Sequence, residues 1–184
     1  NLKKIFIVAE IGVNHEGDLN VAMDLIKKAD EAGVNAVKFQ TYKVEKYISS
    51  TQQDRRNRAK RFQLSREQFE VLSKEAKKRK LKFFSTPLHM DDIGFLRKIS
   101  DIIKISSGDL TNLELIKYAA RGYQNLVIST GLGTQKEIRE AVNISNQNET
   151  TNTLLEDLRD QLGRQNKKMD SLLQQNEDQK KQNE

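Results

Sequence analysis

Two lysines stand inside otherwise apolar stretches of this sequence, where a lysine points to anion binding. Lys38 lies in residues 36–41 (AVKFQT), and Lys104 lies in residues 102–109 (IIKISSGD). An ammonium group is expensive to bury unless an anion meets it. The anion could be a carboxylate of the chain itself, which would make each lysine part of a structural ion pair, or it could be a bound ligand.

Hydroxyl groups at the ends of three strands favour the ligand. They belong to Thr86, Ser107 and Ser129. In an extended segment alternate side chains share a face, so Lys38 lies with Gln40 and Lys104 with Ser106. Hydroxyls, ammonium groups and loop amides at the carboxyl ends of parallel strands form a site for phosphate or carboxylate.

Larger anionic partners fit the sequence less well. It has no GxGxxG or Walker pattern, which argues against a nucleotide. The densest basic run, residues 55–61 (RRNRAKR), is expected in a connecting loop and lacks the interleaved aromatic residues that stack bases. We therefore expect a small anionic substrate and no nucleic acid.

Short strand signals alternate with helix signals along the first part of the chain. The predicted strands lie at about residues 5–9, 35–39, 82–85, 102–106 and 126–130. Asp18 is expected to cap the first helix and Gly33 to end it. The capping-box spacing occurs in three pairs: Ser65 with Gln68, Thr111 with Glu114, and Thr134 with Glu137.

Strands separated by helices predict a parallel sheet, either a Rossmann-like open sheet or a (β/α) barrel. Lysines on strand faces favour the barrel. The fold class is therefore predicted as α/β, of the TIM-barrel type, with about five βα units where a closed barrel has eight.

Composition excludes several classes. The 184 residues are enough for one domain and contain no cysteine, which excludes disulfides, thiolate metal sites and a cysteine nucleophile. No apolar stretch is long enough to span a bilayer. We therefore expect a cytoplasmic protein with no membrane partner.

The composition changes near residue 143. Residues 1–143 carry a net charge of +8 and are predicted to form the barrel part, whereas residues 144–184 carry −2 and thirteen Asn or Gln. The tail is expected to be a polar linker and a solvated helix or disordered segment. Heptad spacing of Leu155, Leu158, Leu162, Met169 and Leu172 leaves open a short coiled coil, and with it a homo-oligomer.

Five motifs in order resemble one family. They are residues 9–18 (AEIGVNHEGD), 37–41 (VKFQT), 83–87 (FFSTP), 104–112 (KISSGDLTN) and 129–131 (STG). Together they resemble the amino-terminal part of the sialic acid synthases, the N-acetylneuraminate synthase family, which includes legionaminate, pseudaminate and spore-coat polysaccharide synthases. The resemblance covers about residues 3–143.

The resemblance implies a transferase of surface-carbohydrate biosynthesis that condenses phosphoenolpyruvate with an N-acylamino sugar, such as N-acetylmannosamine, to a 2-keto sugar acid. It assigns the phosphoenolpyruvate phosphate and carboxylate to Lys38, Thr86, Lys104, Ser107 and Ser129. Glu10 would face the sugar, with Gln40 and Asp109 lining the same site, and Glu10 and Asp109 are the predicted catalytic residues.

The family's metal ligands have no counterpart in the sequence. The resemblance implies Mn²⁺ or Mg²⁺ held by two histidines from the sixth strand and beyond, whereas this chain has only His15 and His89. His15 is expected to shape the loop after the first strand by hydrogen bonding, and His89 to be a solvated loop residue. The sequence therefore predicts no metal site.

Two interpretations follow from these absences. The first is a truncated synthase without condensation activity by itself. The alternative is a non-catalytic half-barrel protein with a coiled-coil interaction tail.

Overall fold

The computed structural model describes residues 5–123 and 125–146, in which strands and helices alternate. The strands are β1 (Val8–Gly12), β2 (Ala36–Thr41), β3 (Lys82–Pro87), β4 (Ile102–Ile105) and β5 (Asn125–Ile128). The helices are α1 (Leu19–Glu31), α2 (Val44–Tyr47), α3 (Gln53–Phe62), α4 (Arg66–Lys78), α5 (Met90–Leu96), α6 (Leu113–Ala120) and α7 (Gln135–Asn146). A 3₁₀ turn, Ser107–Asp109, follows β4.

The five described strands form one parallel sheet in the order β1-β2-β3-β4-β5. Each strand therefore pairs with the next in sequence. A doubly wound sheet reverses its order at a switch point, whereas a barrel adds strands in sequence. The strand order distinguishes the barrel type from the Rossmann-like alternative.

One face of the sheet, here called the helix face, packs against the helices. It carries Val37, Phe39, Phe83, Ile103 and Ile105, all of them buried. They share a hydrophobic cluster with residues of α1, α4, α5 and α6, which are Ala22, Ile26, Phe69, Leu72, Ile93, Leu96, Leu115 and Ile116. The covered helix face leaves the opposite face, with Glu10, Lys38 and Lys104, as the polar face.

Helix ends follow the predicted caps with one exception. The Asp18 carboxylate accepts from the N–H groups of Asn20 and Val21 at the start of α1. Complete capping boxes join Ser65 with Gln68, and Thr134 with Glu137.

The third predicted capping box, Thr111 with Glu114, is wrong. Asn112 caps α6 and accepts from the N–H of Leu115 at 3.2 Å. The 3₁₀ turn extends the preceding loop by one residue, because the Asn112 N–H still donates to Asp109 O. Asn is at least as good a cap as Thr, so α6 starts one residue later than predicted.

Residues 55–61 lie in helix α3, which corrects the predicted loop. The segment has no apolar periodicity, and α3 buries none of its residues. Its Arg, Lys, Gln and Ala residues nevertheless have high helix propensity. The Tyr42 hydroxyl donates to Ala59 O at 2.9 Å, and the Arg56 guanidinium donates to Ile48 O at 3.0 Å. These bonds hold α3 against the preceding loop.

The first strand begins at Val8, three residues later than predicted. The Ile7 N–H donates to the Asn35 side chain at 2.7 Å, and Ile7 O accepts from the N–H groups of Asn35 and Ala36. The asparagine side chain thus takes the place of a ladder partner ahead of β2. Ile5 and Phe6 are exposed there.

The predicted tail lies almost wholly outside the described residues. Helix α7 passes the predicted boundary at residue 143 and continues to Asn146. The leucine heptads begin at Leu155, so the division of the chain, the coiled coil and the homo-oligomer stay predictions. Across residues 5–123 and 125–146, every helix is too short or too polar to cross a bilayer.

Candidate functional site

One carboxylate, that of Glu10, lies between the two lysines singled out in the sequence. Glu10 Oε2 is 2.6 Å from Lys38 Nζ, and Glu10 Oε1 is 3.8 Å from Lys104 Nζ. The Lys38 side chain is only 3% exposed, whereas that of Glu10 is 54% exposed. A charge network of three residues from three strands thus occupies the polar face.

Strand register explains why these side chains meet. Glu10 pairs with Lys38 across β1 and β2, so both point to the polar face. The register shifts between Glu10 and Gly12, and Gly12 has a φ of 59°, which an L-residue with a side chain adopts at a cost. The bulge shifts the register just after Glu10, and pairing resumes with Gly12 opposite Phe39.

The Lys104 ammonium has a perturbed environment. Burial lowers its pKa from the usual value, the nearby Lys38 charge lowers the pKa further, and Glu10 raises it. The side chain keeps 19% exposure and a long contact to Glu10. Lys104 is therefore less well compensated than Lys38 and is the cation with more to gain from an added anion.

Thr86 brings a hydroxyl to the same face. Its register partner is Gln40, and it is 2% exposed. The Thr86 Oγ1 is buried and has no hydrogen-bond partner among the described residues. A buried hydroxyl without a partner costs free energy, so a ligand or a water molecule that bonds to it would be stabilising. Gln40 is half-buried beside it.

The loop after β4 holds Asp109 and Ser107 at the rim. The Ser106 hydroxyl donates to Asp109 Oδ2 at 2.5 Å, which fixes the carboxylate over the 3₁₀ turn. Ser107 is exposed, and Asp109 is half-buried. The predicted catalytic aspartate is thus held within its own loop.

Ser129 directly follows β5. Its N–H donates to Ile105 O at 3.1 Å, which continues the sheet pairing by one residue, and its side chain is half-buried. A cleft of about 250 Å³ opens between this loop and the turn after β4. It is lined by Ser107, Gly108, Leu110, Thr111, Gly131, Leu132, Gly133 and Glu137.

The two histidines have local structural roles. His15 Nδ1 accepts from the Gly17 N–H at 3.0 Å, which bears out its predicted part in the loop. The ring is buried beside Phe39, and this burial lowers its pKa. His89 caps α5, where its Nδ1 accepts from the Asp91 N–H at 3.2 Å, so it is a helix cap rather than a solvated loop residue.

The residues that the structure describes do not fit a metal ion. Enzymes of the family to which the sequence points are generally metal-dependent. In the part of the chain that the structure describes, no three His, Cys, Asp or Glu side chains are grouped so as to hold a metal. The Glu10 carboxylate, which lies nearest to the predicted substrate site, is already engaged by two lysines and is a poor ligand for a second cation.

Comparison with known proteins identifies the family. Residues 25–158 match the model of the NeuB family. The chain belongs to the NeuB family. An uncharacterized protein of Methanocaldococcus jannaschii is 38% identical over 144 residues, covering 78% of this chain and 42% of that protein. The N,N'-diacetyllegionaminic acid synthase of Campylobacter jejuni is 34% identical over 157 residues, covering 78% of this chain and 47% of the synthase.

A solved synthetase structure shares the fold. The N-acetylneuraminic acid (sialic acid) synthetase of Leptospira borgpetersenii matches with a TM-score of 0.77 and 32% identity. The match covers 81% of this chain and 52% of that one. The barrel-type α/β fold is thereby confirmed, and this chain spans about half the length of the relatives that it matches.

Sequence reasoning named candidate site residues but not how they contact one another. It left open whether each lysine meets a carboxylate or a ligand, and the structure shows both lysines sharing Glu10. The Ser106–Asp109 bond was missed, although the three-residue spacing of a hydroxyl and an acid is a typical local hydrogen-bonding signal. The cleft itself was missed, although Gly131 lies in a quoted motif and Glu137 in a predicted capping box, because a cleft depends on segments distant in sequence.

Proposed function

We propose that this chain provides the phosphoenolpyruvate-binding part of a synthase that condenses phosphoenolpyruvate with an N-acylamino sugar of the N-acetylmannosamine type. The product would be a sialic-acid-like 2-keto sugar acid for carbohydrate biosynthesis. One observation carries the proposal: Lys38 and Lys104 converge on a single carboxylate at the carboxyl edge of a parallel sheet. Ligand sites of barrel enzymes lie at this edge.

The anionic groups of phosphoenolpyruvate match the donors at this edge. Lys38 and Lys104 would hold its phosphate and carboxylate, and the Thr86 hydroxyl would gain the partner that it lacks. Ser107 and Ser129 would add donors from the neighbouring loops. Charge-assisted hydrogen bonds in a site shielded from water are roughly twice as strong as neutral ones.

The sugar would meet the carboxylates and amide of the same rim. Glu10 is half exposed, Gln40 half-buried, and Asp109 is fixed by Ser106. Carboxylate and amide oxygens accept from sugar hydroxyls. In the condensation, C3 of phosphoenolpyruvate bonds to the aldehyde carbon, water adds at C2 and phosphate leaves. The protein groups named here would hold both reactants in attacking geometry.

The family resemblance implies Mn²⁺ or Mg²⁺ as a Lewis acid for the aldehyde, but the described residues do not fit such an ion, and no step of the proposal is assigned to it. Its histidine ligands are absent from this sequence, which contains only His15 and His89. We therefore expect no release of phosphate when the chain by itself is mixed with phosphoenolpyruvate, N-acetylmannosamine and Mn²⁺. A metal-dependent release would contradict this expectation. A cytoplasmic setting, where phosphoenolpyruvate is available, is part of the proposal.

Calorimetric titration with phosphoenolpyruvate tests the binding function. We expect binding by the wild-type chain and at least about a tenfold loss in Lys38→Met and in Lys104→Met, because each removes a charge-assisted bond. Lys82→Met is the matched control. Lys82 is an exposed lysine on the polar face of β3, at the end of the strand opposite to Thr86. It should leave the affinity unchanged.

The result that would overturn the proposal is equal binding by the wild type and both site variants, or an equal loss in Lys82→Met. In that case any affinity would reflect the general positive charge of the chain. Thermal unfolding of each variant, followed by circular dichroism, separates lost binding from lost structure.

A further inference from the structure

We propose that Glu10 is an internal competitor for the anion site, so that an entering anion must displace its carboxylate from Lys38. The identity of that anion as phosphoenolpyruvate rests on the function proposed above. The competition itself rests on the three-residue network of Glu10, Lys38 and Lys104.

The Lys38 ammonium is almost fully covered while Glu10 binds it. Its side chain is 3% exposed, and its Nζ lies 2.6 Å from Glu10 Oε2. Its β3 register partner is the buried ring of Phe84, which supplies no acceptor. A ligand that uses the Lys38 ammonium therefore has to take over the bond that Glu10 now makes.

Glu10, in contrast, is easily released. Its side chain is 54% exposed, so water can solvate the carboxylate once it leaves the lysine. A buried cation and a half-exposed anion form an asymmetric pair, in which only the anion can leave at moderate cost. Displacement of Glu10 is thus feasible, whereas displacement of Lys38 is not.

Lys104 provides a first contact for the ligand. Its Nζ is 3.8 Å from Glu10 Oε1, beyond an ordinary hydrogen bond, and its side chain is 19% exposed. An anion can bind there without first breaking a short bond. Contact with Lys104 would then place the anion beside Lys38, where it competes with Glu10 directly.

The displaced carboxylate links the two halves of the proposed reaction. While Glu10 binds Lys38, its acceptor oxygens are engaged by a cation. After an anion has taken Lys38, the carboxylate is free to accept hydrogen bonds from a sugar hydroxyl. The anion would therefore raise the affinity for the sugar, and by linkage the sugar would raise the affinity for the anion.

Glu10→Gln tests the competition, since it removes the negative charge while nearly conserving the shape. We expect Glu10→Gln to bind both phosphoenolpyruvate and inorganic phosphate about fivefold or more tightly than the wild type, by calorimetric titration. Glu16→Gln is the matched control. Glu16 is an exposed carboxylate in the loop that follows β1, and its removal should leave both affinities within about twofold.

A double mutant separates displacement from simple charge repulsion. If Glu10 acts by occupying Lys38, its removal should bring little gain in a Lys38→Met background. If Glu10 merely repels anions through space, the gain should be the same in both backgrounds, and the proposal would be overturned.

Unchanged or weaker anion binding in Glu10→Gln would also overturn it, including the case in which neither protein binds an anion. The proposed function fails separately, if phosphoenolpyruvate binds no more tightly than inorganic phosphate while Glu10→Gln still tightens both.

Discussion

The two faces of the sheet are built from alternate residues of the same strands, yet they differ in almost every physical respect. On the helix face Phe39 and Ile103 are fully buried in a hydrophobic cluster. On the polar face their neighbours Lys38 and Lys104 share one half-exposed carboxylate. Because successive side chains of a strand point to opposite faces, neighbouring residues serve stability on one face and the proposed binding on the other.

Hydroxyl groups show the same contrast. On the helix face the hydroxyls of Thr41 and Ser85 bond to each other at 2.7 Å. On the polar face the Thr86 Oγ1 has no partner among the described residues. The two hydroxyls on the helix face satisfy each other, whereas the polar face holds a hydroxyl that a ligand could satisfy.

The largest expected difference in stability is that between Phe39→Ala and Lys38→Met. Phe39 packs against Phe69 and Phe83, so its truncation should lower the free energy of unfolding by about 3–5 kcal/mol. Lys38→Met should change the free energy of unfolding by less than about 1 kcal/mol, because Glu10 can turn to water and the methionine keeps the volume. Urea unfolding of both variants measures this difference.

A large loss of stability in Lys38→Met would contradict the division between the faces. It would mean that the Glu10–Lys38 pair holds the sheet together rather than holding a binding site ready.

A smaller difference in stability is expected between Ser85→Ala and Thr86→Val. Ser85→Ala removes one partner of a buried hydrogen bond and should destabilise the protein by about 1–3 kcal/mol. Thr86→Val removes a hydroxyl without a partner and should be neutral or stabilising by about 1 kcal/mol, while weakening phosphoenolpyruvate binding. Thermal unfolding and calorimetric titration of the same two variants give both readouts.

If Thr86→Val costs as much as Ser85→Ala, the Thr86 hydroxyl has a partner after all, and its proposed role in binding loses its support.

The smallest effect concerns the pH dependence of anion binding. Burial and the Lys38 charge lower the pKa of Lys104, so its ammonium loses a proton below the usual lysine range near about pH 10.4. Anion affinity should therefore begin to fall before that pH is reached. Glu10 raises the same pKa, so Glu10→Gln should move the fall to lower pH.

Sulfate titrations between about pH 8 and about pH 11 measure this shift, because sulfate keeps its charge over that range. Lys104→Arg is the control. Its guanidinium stays protonated over this range, so the variant should lack the part of the pH dependence that comes from Lys104. A fall at the same pH in the wild type and Glu10→Gln would contradict the coupling of the two residues.

The lowered pKa of Lys104 also determines how its contribution to stability changes with pH. The unfolded chain binds the Lys104 proton up to higher pH than the native protein does. The contribution of Lys104 to stability therefore rises with pH between the native pKa and the unfolded value.

Local patterns predicted most of the elements. Apolar runs placed all five described strands to within three residues at their starts, and the caps at Asp18, Ser65 and Thr134 were confirmed. These signals depend on neighbours in sequence, which is why they could be predicted without the fold. The prediction failed where a neighbour in space decides, as at Ile7, whose hydrogen bonds go to Asn35.

The polarity of Lys38, Lys104, Thr86 and Glu10 was likewise visible in the sequence, and so was the family, because ordered motifs at strand ends are specific to it. Alternation alone gave each side chain its face. The arrangement of side chains on that face was not accessible, because it depends on register between strands and on rotamers.

The sequence by itself determined the α/β class, the alternation of buried and polar positions and a set of candidate groups for binding an anion. Only the tertiary structure decided that Glu10 contacts both lysines, that Thr86 lacks a partner among the described residues and that α3 is a helix. The physical reason is that periodicity fixes the direction of a side chain, whereas a contact also requires the register, twist and packing of strands distant in sequence.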